Sequence, residues 1–150
     1  MSNSKKTDLN AVYYQNYSKP QYDRAQELLK LLTINESSSI LDIGCGHGNI
    51  IAELSERALK GKSIGIDASS DMIRLAKETF PDSQFPNLEF QQKKAEEVDF
   101  IHCFDIITCF NCLLWVREPR KALSLMCKAL KPGGTLVILT YLKASSSSLF

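Results

Sequence analysis

Three glycines spaced two apart, Gly44, Gly46 and Gly48, interrupt an apolar run from Ile40 to Leu54, and no other stretch of the chain limits its folding as tightly. Before them Ile40-Leu41-Asp42-Ile43 reads as a short strand; after them Ile50-Ile51-Ala52-Glu53-Leu54 continues as a helix. Strand, tight turn, helix is the consequence. Glycine takes positive φ without steric cost, and lacking Cβ it lets a ligand lie against the main chain. A helix starting at Gly48 or Asn49 turns its unpaired N–H groups toward the same crevice. Corners of this kind hold nucleosides. Taken alone, the loop also reads as a plain structural turn.

The chain has 150 residues, 44% apolar and 23% charged, which suits one globular domain around one core. A net charge of +1 offers no global attraction to nucleic acid or an anionic surface, so binding partners must be selected at the site. No apolar run approaches the roughly 20 residues that span a bilayer, and residues 1–6 lack the apolar core of a signal peptide. A cytoplasmic protein is expected. The five cysteines, Cys45, Cys103, Cys109, Cys112 and Cys127, are odd in number and lie mostly in apolar runs, which fits reduced, buried thiols. Cys109 and Cys112 have neither a second ligand pair nor an electropositive flank, so packing is expected of them and no metal site is assigned.

In order, residues 1–20 read as an arm or flap, 21–143 as the domain and 144–150 as a polar tail. Tyr13, Tyr14, Tyr17 and Tyr22 crowd around Pro20, as a cover for the core or for a ligand. Ala25, Leu28, Leu29 and Leu32 predict a helix from Gln21 to Asn35. After the strand Ile40–Ile43 the next helix is expected to reach Leu59, followed by a strand Ser63–Asp67. Ser69 or Ser70 caps a helix to Phe80, and Leu88–Gln91 is a third strand. Residues 93–102 are polar and ambiguous, holding at most a turn of helix. Phe104–Phe110 is apolar enough to be buried on both faces; Pro119 starts a helix that Lys131-Pro132-Gly133-Gly134 stops, and Thr135–Leu139 is the fifth strand. Strands alternating with helices predict an α/β doubly wound sheet with helices on both faces.

Asp67 ends the second strand, where such a sheet presents an acid to a ribose. A carboxylate has two oxygens and no donor, so it accepts from the 2′ and 3′ hydroxyls together. The plainer alternative is an acid serving the helix that follows. A glycine corner with such an acid also suits NAD, but the dinucleotide loop is Gly-x-Gly-x-x-Gly, one residue longer than the loop here.

Four ordered segments carry a resemblance. They are Asp42-Ile43-Gly44-Cys45-Gly46-His47-Gly48, Gly65 to Ile73, Phe104 to Cys109, and Leu130-Lys131-Pro132-Gly133-Gly134-Thr135-Leu136. From about Tyr17 to Leu142 the chain resembles class I S-adenosylmethionine-dependent methyltransferases, in particular small-molecule enzymes such as the ubiquinone-biosynthesis and trans-aconitate groups. The resemblance implies a Rossmann-like sheet in the strand order 3-2-1-4-5, S-adenosyl-L-methionine as cofactor, and transfer of its methyl group to a small-molecule acceptor. It further implies that Gly44, Cys45 and Gly46 lie against the methionine and ribose, while Asp42 orders the loop and reaches the ligand amine through water. Asp67 would take the ribose, Ala68 and Met72 wall the adenine, the Ala95 N–H meet the adenine edge, and the main chain at Cys109 face the methionine end. Where many relatives place an acid before that alanine this chain has Lys94, and Glu96 is the substitute. Where many carry a histidine before the tryptophan, Leu114 precedes Trp115, so no catalytic base is assigned. His47 is expected at the ligand rim, His102 in solvent, and Trp115 in the core or on the pocket wall.

The alternatives are a non-catalytic S-adenosylmethionine-binding module or subunit, and an NAD-dependent oxidoreductase. The family domain normally adds a sixth and a seventh strand. The chain stops soon after the fifth, so the sheet is expected to be incomplete, with Thr135–Leu139 an apolar edge through which like or unlike subunits associate.

Overall fold

The computed structural model describes residues 19–141. The expected tyrosine arm, with Tyr13, Tyr14 and Tyr17, and the tail 144–150 lie outside them, as does the side chain of Tyr22. Helix α1 (Lys19–Lys30) leads into β1 (Ile40–Ile43), α2 (Asn49–Arg57), β2 (Ser63–Asp67), α3 (Ser70–Thr79) and β3 (Leu88–Gln92). A 3₁₀ turn (Ala95–Glu97), β4 (Phe104–Phe110), a second 3₁₀ turn (Leu113–Trp115), α4 (Pro119–Ala129) and β5 (Leu130–Leu139) follow. The strands are all parallel, in the order β3-β2-β1-β4-β5, as expected. The direction of winding reverses between β1 and β4. That reversal opens a crevice at the carboxyl ends of these strands, where ligands of such sheets bind.

Neighbouring residues of one strand serve opposite faces because side chains alternate along it. Ile40 of β1, with Ile106 and Phe110 of β4, packs under α1, α2 and α3 against Ala25, Leu29, Ile51, Leu54, Ile73 and Ala76. Leu41 and Ile43, with Ile107 and Cys109, pack under α4 against Ala122, Met126 and Ala129. Asp42 and Thr108 are register partners on the first of these faces, two polar residues inside an apolar layer.

At the amino ends, Asp105 ties three segments together. Its Oδ2 accepts from the Ser39 N–H at 2.8 Å and from Lys131 Nζ at 3.1 Å, and its own N–H donates to the Ser39 carbonyl at 2.9 Å. The Ser39 N–H, followed by Lys131, holds this carboxyl below the ordinary aspartate range.

Three expectations are corrected. Helix α1 ends at Lys30 rather than Asn35, yet Leu32 and Ile34 still pack on the core, so apolar spacing persists after the backbone has left the helix. Lys131 to Gly134 form a bulge inside β5 instead of a gap before it: Leu130 pairs with Phe104, and the ladder resumes with Thr135 opposite Ile106. Pro132, which has no N–H to offer a ladder, is tolerated at such a bulge. Among the thiols, Cys45 and Cys109 are buried and Cys112 half-buried, but Cys103 and Cys127 are exposed. The ambiguous stretch after β3 holds its single turn, and Ser69 caps α3 by accepting from the Met72 N–H at 3.3 Å. The outer edge of β5 pairs with no strand among the described residues.

The central strands should govern stability. Ile107 is 0% exposed, so Ile107→Ala is expected to cost about 3 kcal/mol in urea unfolding. Leu59, 69% exposed, is the control, and Leu59→Ala should change stability by less than about 0.5 kcal/mol.

Candidate functional site

The corner between β1 and α2 is tied to the end of β2. The Cys45 N–H donates to the Ile66 carbonyl at 2.9 Å, extending the ladder by one rung, and the Gly46 N–H donates to Asp67 Oδ2 at 2.9 Å. Asp67 Oδ1 accepts from the Ser69 N–H at 2.9 Å. Each carboxylate oxygen therefore holds one backbone N–H and keeps lone-pair capacity for another donor. The acid serves the loop and the turn into α3 before any ligand arrives, and the helix-serving role posed as the plainer alternative coexists with a free face.

The glycines are required for different reasons. Gly46, at φ 54°, has open space where a Cβ would stand, and that space belongs to a cavity. A Cβ on Gly44, at φ 71°, would lie 2.5 Å from Cβ of Cys112, so the loop packs directly on the segment after β4. Gly48 precedes α2 without supplying a side-chain cap, which leaves first-turn N–H groups facing the crevice.

Two adjoining cavities open here. One, of about 500 Å³, has Asp42, Gly44, Cys45, Gly46, Asp67 and Met72 among its walls. The other, of about 400 Å³, is walled by Gly44, Asp67, Ala68, Ala95 and Glu96 together with Lys94. Gly44 and Asp67 are common to both, so the residues singled out in the sequence come together around one continuous groove. Cys109 is the exception. It is 0% exposed, paired to Ile43 on one side and Ile138 on the other, and stands on neither cavity wall. Phe110 and Asn111 occupy the place expected of it, because the pairing of β4 with β1 ends at Cys109 and only beyond that rung does β4 border the groove, although Phe110 still pairs with Leu139 of β5. Trp115 is no core residue: it is 78% exposed and borders both cavities. His102 is exposed.

The first cavity is acidic. Asp42 is 3% exposed and accepts from Thr108 Oγ1 at 2.8 Å; burial, opposed by that bond and reinforced by the charge of Asp67, pushes its carboxyl up to about 7. Burial, with the same two acids, holds the Cys45 thiol protonated and so unreactive. Burial also lowers His47 below the ordinary histidine value, against the opposing pull of Asp67. The Cys109 thiol is raised by its hydrogen bond to Cys112 and by burial, in keeping with the packing role expected of that pair.

Sequence reasoning passed over Asn111. It has φ 54°, its Nδ2 and Oδ1 are buried without a partner among the described residues, and it borders both cavities. The available signal was an asparagine directly after an apolar strand, since asparagine tolerates the left-handed region better than other side-chain-bearing residues. His47 Nδ1 is buried and unpartnered in the same way.

The raised carboxyl of Asp42 makes stability depend on pH. An unfolded aspartate ionises at about 3.9. Because the folded value is higher, stability is greatest in acid and is lost as pH rises toward the folded value of about 7. Asp42→Asn, which still accepts from Thr108, should therefore be more stable than the native chain at pH 8. That advantage should shrink steadily toward pH 4.5 when ligand-free thermal melting is followed across the range.

A family model described as a methyltransferase domain matches residues 34–148. A putative methyltransferase of Invertebrate iridescent virus 6 is 32% identical over 130 residues, covering 87% of this chain and 47% of the viral one. Trans-aconitate 2-methyltransferase of Variovorax paradoxus is 30% identical over 131 residues, covering 87% of this chain and 49% of its own. The chain thus spans about half the length of these curated relatives. A crystal structure of a SAM-dependent methyltransferase from Aquifex aeolicus matches with a TM-score of 0.69 at 26% identity, over 75% of this chain and 61% of that one. Sheet order, glycine corner, strand-end acid and sequence likeness agree, and the chain belongs to the class I S-adenosylmethionine-dependent methyltransferase family.

Proposed function

We propose that this chain binds S-adenosyl-L-methionine along the groove formed by the two cavities and that its activity is methyl transfer to a small-molecule acceptor. The observation that carries this is the position of Asp67, common to both cavities and bonded to the Gly46 N–H, with lone pairs left for two ribose hydroxyls. A nucleoside held there would place its base toward Ala68, Ala95 and Glu96 and its other end toward Asp42 and the glycine corner. The open space at Gly46 fits main-chain contact with such a ligand. Glu96, beside the buried Ala95, is the acid available to an adenine amino group.

When bound, the cofactor supplies a methyl group on an already activated sulfonium. The work left to the protein is to hold acceptor and methyl carbon in line, and orientation alone can contribute roughly 7 to 11 kcal/mol. Asp42, Asp67 and the glycine corner orient the donor, and Phe110 and Trp115 offer apolar walls to the acceptor. A small acceptor is supported by the size of the groove and by the name of the trans-aconitate relative. The near-neutral charge disfavours nucleic acid. No helix among the described residues is long and apolar enough to cross a membrane, and the exposed free thiols Cys103 and Cys127 favour a reducing compartment such as the cytoplasm. The outer edge of β5 is the surface we assign to association with a further strand or subunit.

Asp67→Ala removes charged hydrogen bonds worth roughly 1.5 to 3 kcal/mol each, so calorimetry with S-adenosylhomocysteine should show affinity down by about 100-fold or more. Unaltered affinity in a folded variant would remove the ribose assignment. Because the reacting carbon arrives activated, methyl transfer in a screen of small acceptors should be unchanged by EDTA. Turnover lost in the chelator and restored by magnesium would refute that.

A further inference from the structure

In the reduced chain Cys109 and Cys112 pack, yet the two thiols have different surroundings. Cys109 is 0% exposed and held by its ladder partners Ile43 and Ile138. Cys112 lies past both ladders, half-buried, on the wall of the second cavity, whose volume of about 400 Å³ leaves room for a small oxidant. Lys93, Lys94 and Arg117 stand in the same walls, an electropositive setting that the flanks of Cys112 in sequence do not supply, although Lys93 is paired with Asp99 at 2.6 Å. The hydrogen bond from Cys109 holds the Cys112 thiol below the ordinary cysteine value, against burial and the charges of Asp42, Asp67 and Glu96. The same bond, with burial, holds Cys109 above it. One thiol is thus disposed to ionise while its neighbour stays protonated beside it.

Cys112 is also a mechanical part of the groove. A Cβ on Gly44 would stand 2.5 Å from Cβ and 2.6 Å from Sγ of Cys112, so this side chain lies directly on the first glycine of the corner, a residue common to both cavities. The Cys112 carbonyl accepts from the Trp115 N–H at 2.9 Å, and Trp115 borders both cavities as well. A disulfide brings two sulfurs much closer than hydrogen-bond contact does. Because the ladders fix Cys109, Cys112 must give way, and the contact with Gly44 and the turn to Trp115 move with it.

We propose that Cys109 and Cys112 form a reversible oxidation site on the groove wall, at which hydrogen peroxide makes their disulfide and reshapes the wall between Gly44 and Trp115. The Cys112 thiolate attacks one peroxide oxygen; the O–O bond breaks, Cys112 becomes a sulfenic acid, and the departing hydroxide takes up the proton that the thiol released. The Cys109 sulfur then attacks the Cys112 sulfur: the S–S bond forms, the S–O bond breaks, and the hydroxide leaves as water with the Cys109 proton. The thiol pair loses two electrons, and the peroxide is reduced to water in both steps. That this change weakens cofactor binding rests on the cofactor assignment made above.

The test uses the 150-residue chain carrying Cys103→Ser and Cys127→Ser, which removes the two exposed thiols. Hydrogen peroxide should lower its intact mass by two hydrogens and shift the emission of Trp115, the single tryptophan, and dithiothreitol should reverse both. Adding Cys112→Ser should abolish both changes, and adding Cys109→Ala instead should stop the reaction at a Cys112 sulfenic acid that dimedone traps. Affinity for S-adenosylhomocysteine should fall by about tenfold or more in the disulfide form and return with dithiothreitol, while peroxide leaves that of the Cys112→Ser variant where it was. A chain that forms no reversible disulfide, or whose tryptophan emission and affinity are the same in both forms, overturns the proposal. So does an equal loss of affinity in the peroxide-treated Cys112→Ser variant, which would place the oxidation elsewhere, as at Met72 on the first cavity wall. If the reduced chain binds no S-adenosylhomocysteine, the cofactor assignment fails, and the mass and emission changes still decide this proposal.

Discussion

The carboxylate of Asp67 is the joint on which the site depends. Its two oxygens hold the N–H of Gly46 in one loop and of Ser69 in another, so that the corner after β1 and the turn into α3 are set relative to each other by a single side chain. Charge-assisted bonds of this kind are short and roughly twice as strong as neutral ones. The Cys45 N–H bond to Ile66 and the packing of Gly44 on Cys112 hold the start of the glycine corner, and Asp67 holds its middle at Gly46. With Asp67 in place it is a shaped wall, and the acid itself borders both cavities.

A second polar pair sits below the first. Asp42 and Thr108 meet inside the apolar layer under α1 to α3, and burial leaves Asp42 poised near neutrality instead of fully ionised. The sheet carries this cost at the switch point between β1 and β4, where a ligand cation would offset it. Among the described residues the first cavity has no lysine or arginine in its walls, whereas the second has Lys93, Lys94 and Arg117, so it is the first cavity that suits a cationic group, and both a sulfonium and an ammonium are of that kind. Stability has been given up locally at Asp42 and Asn111, and the interdigitated apolar faces of the five-stranded sheet offset it.

Most of the architecture was legible because its signals are local. The last of three glycines before an apolar run, a serine before Met72 and a proline at position 119 each mark a helix start through the backbone chemistry of one residue. The unbroken apolar run of β4 marks a strand buried on both faces. The misread boundaries were those where burial and backbone geometry part company. Leu32 and Ile34 are apolar because they pack, not because they are helical, and Leu130 joins the sheet before the bulge that its proline and glycines announce.

The sequence by itself determined the order of elements, the glycine corner, and the presence of an acid at the end of β2, because each follows from steric and hydrogen-bonding preferences of residues adjacent in the chain. Only the tertiary structure decided that Asp67 grips Gly46, that Cys109 is sealed within the ladder while Asn111 escapes it, and that Asn111 is left with an unsatisfied amide. Those facts depend on the register of strands distant in sequence, with Ile43 level with Cys109 and Cys109 level with Ile138. A shift of one residue in a parallel sheet exchanges the buried face for the other. Which residue at the end of β4 reaches the groove is therefore a property of the paired strands, and no single segment contains it.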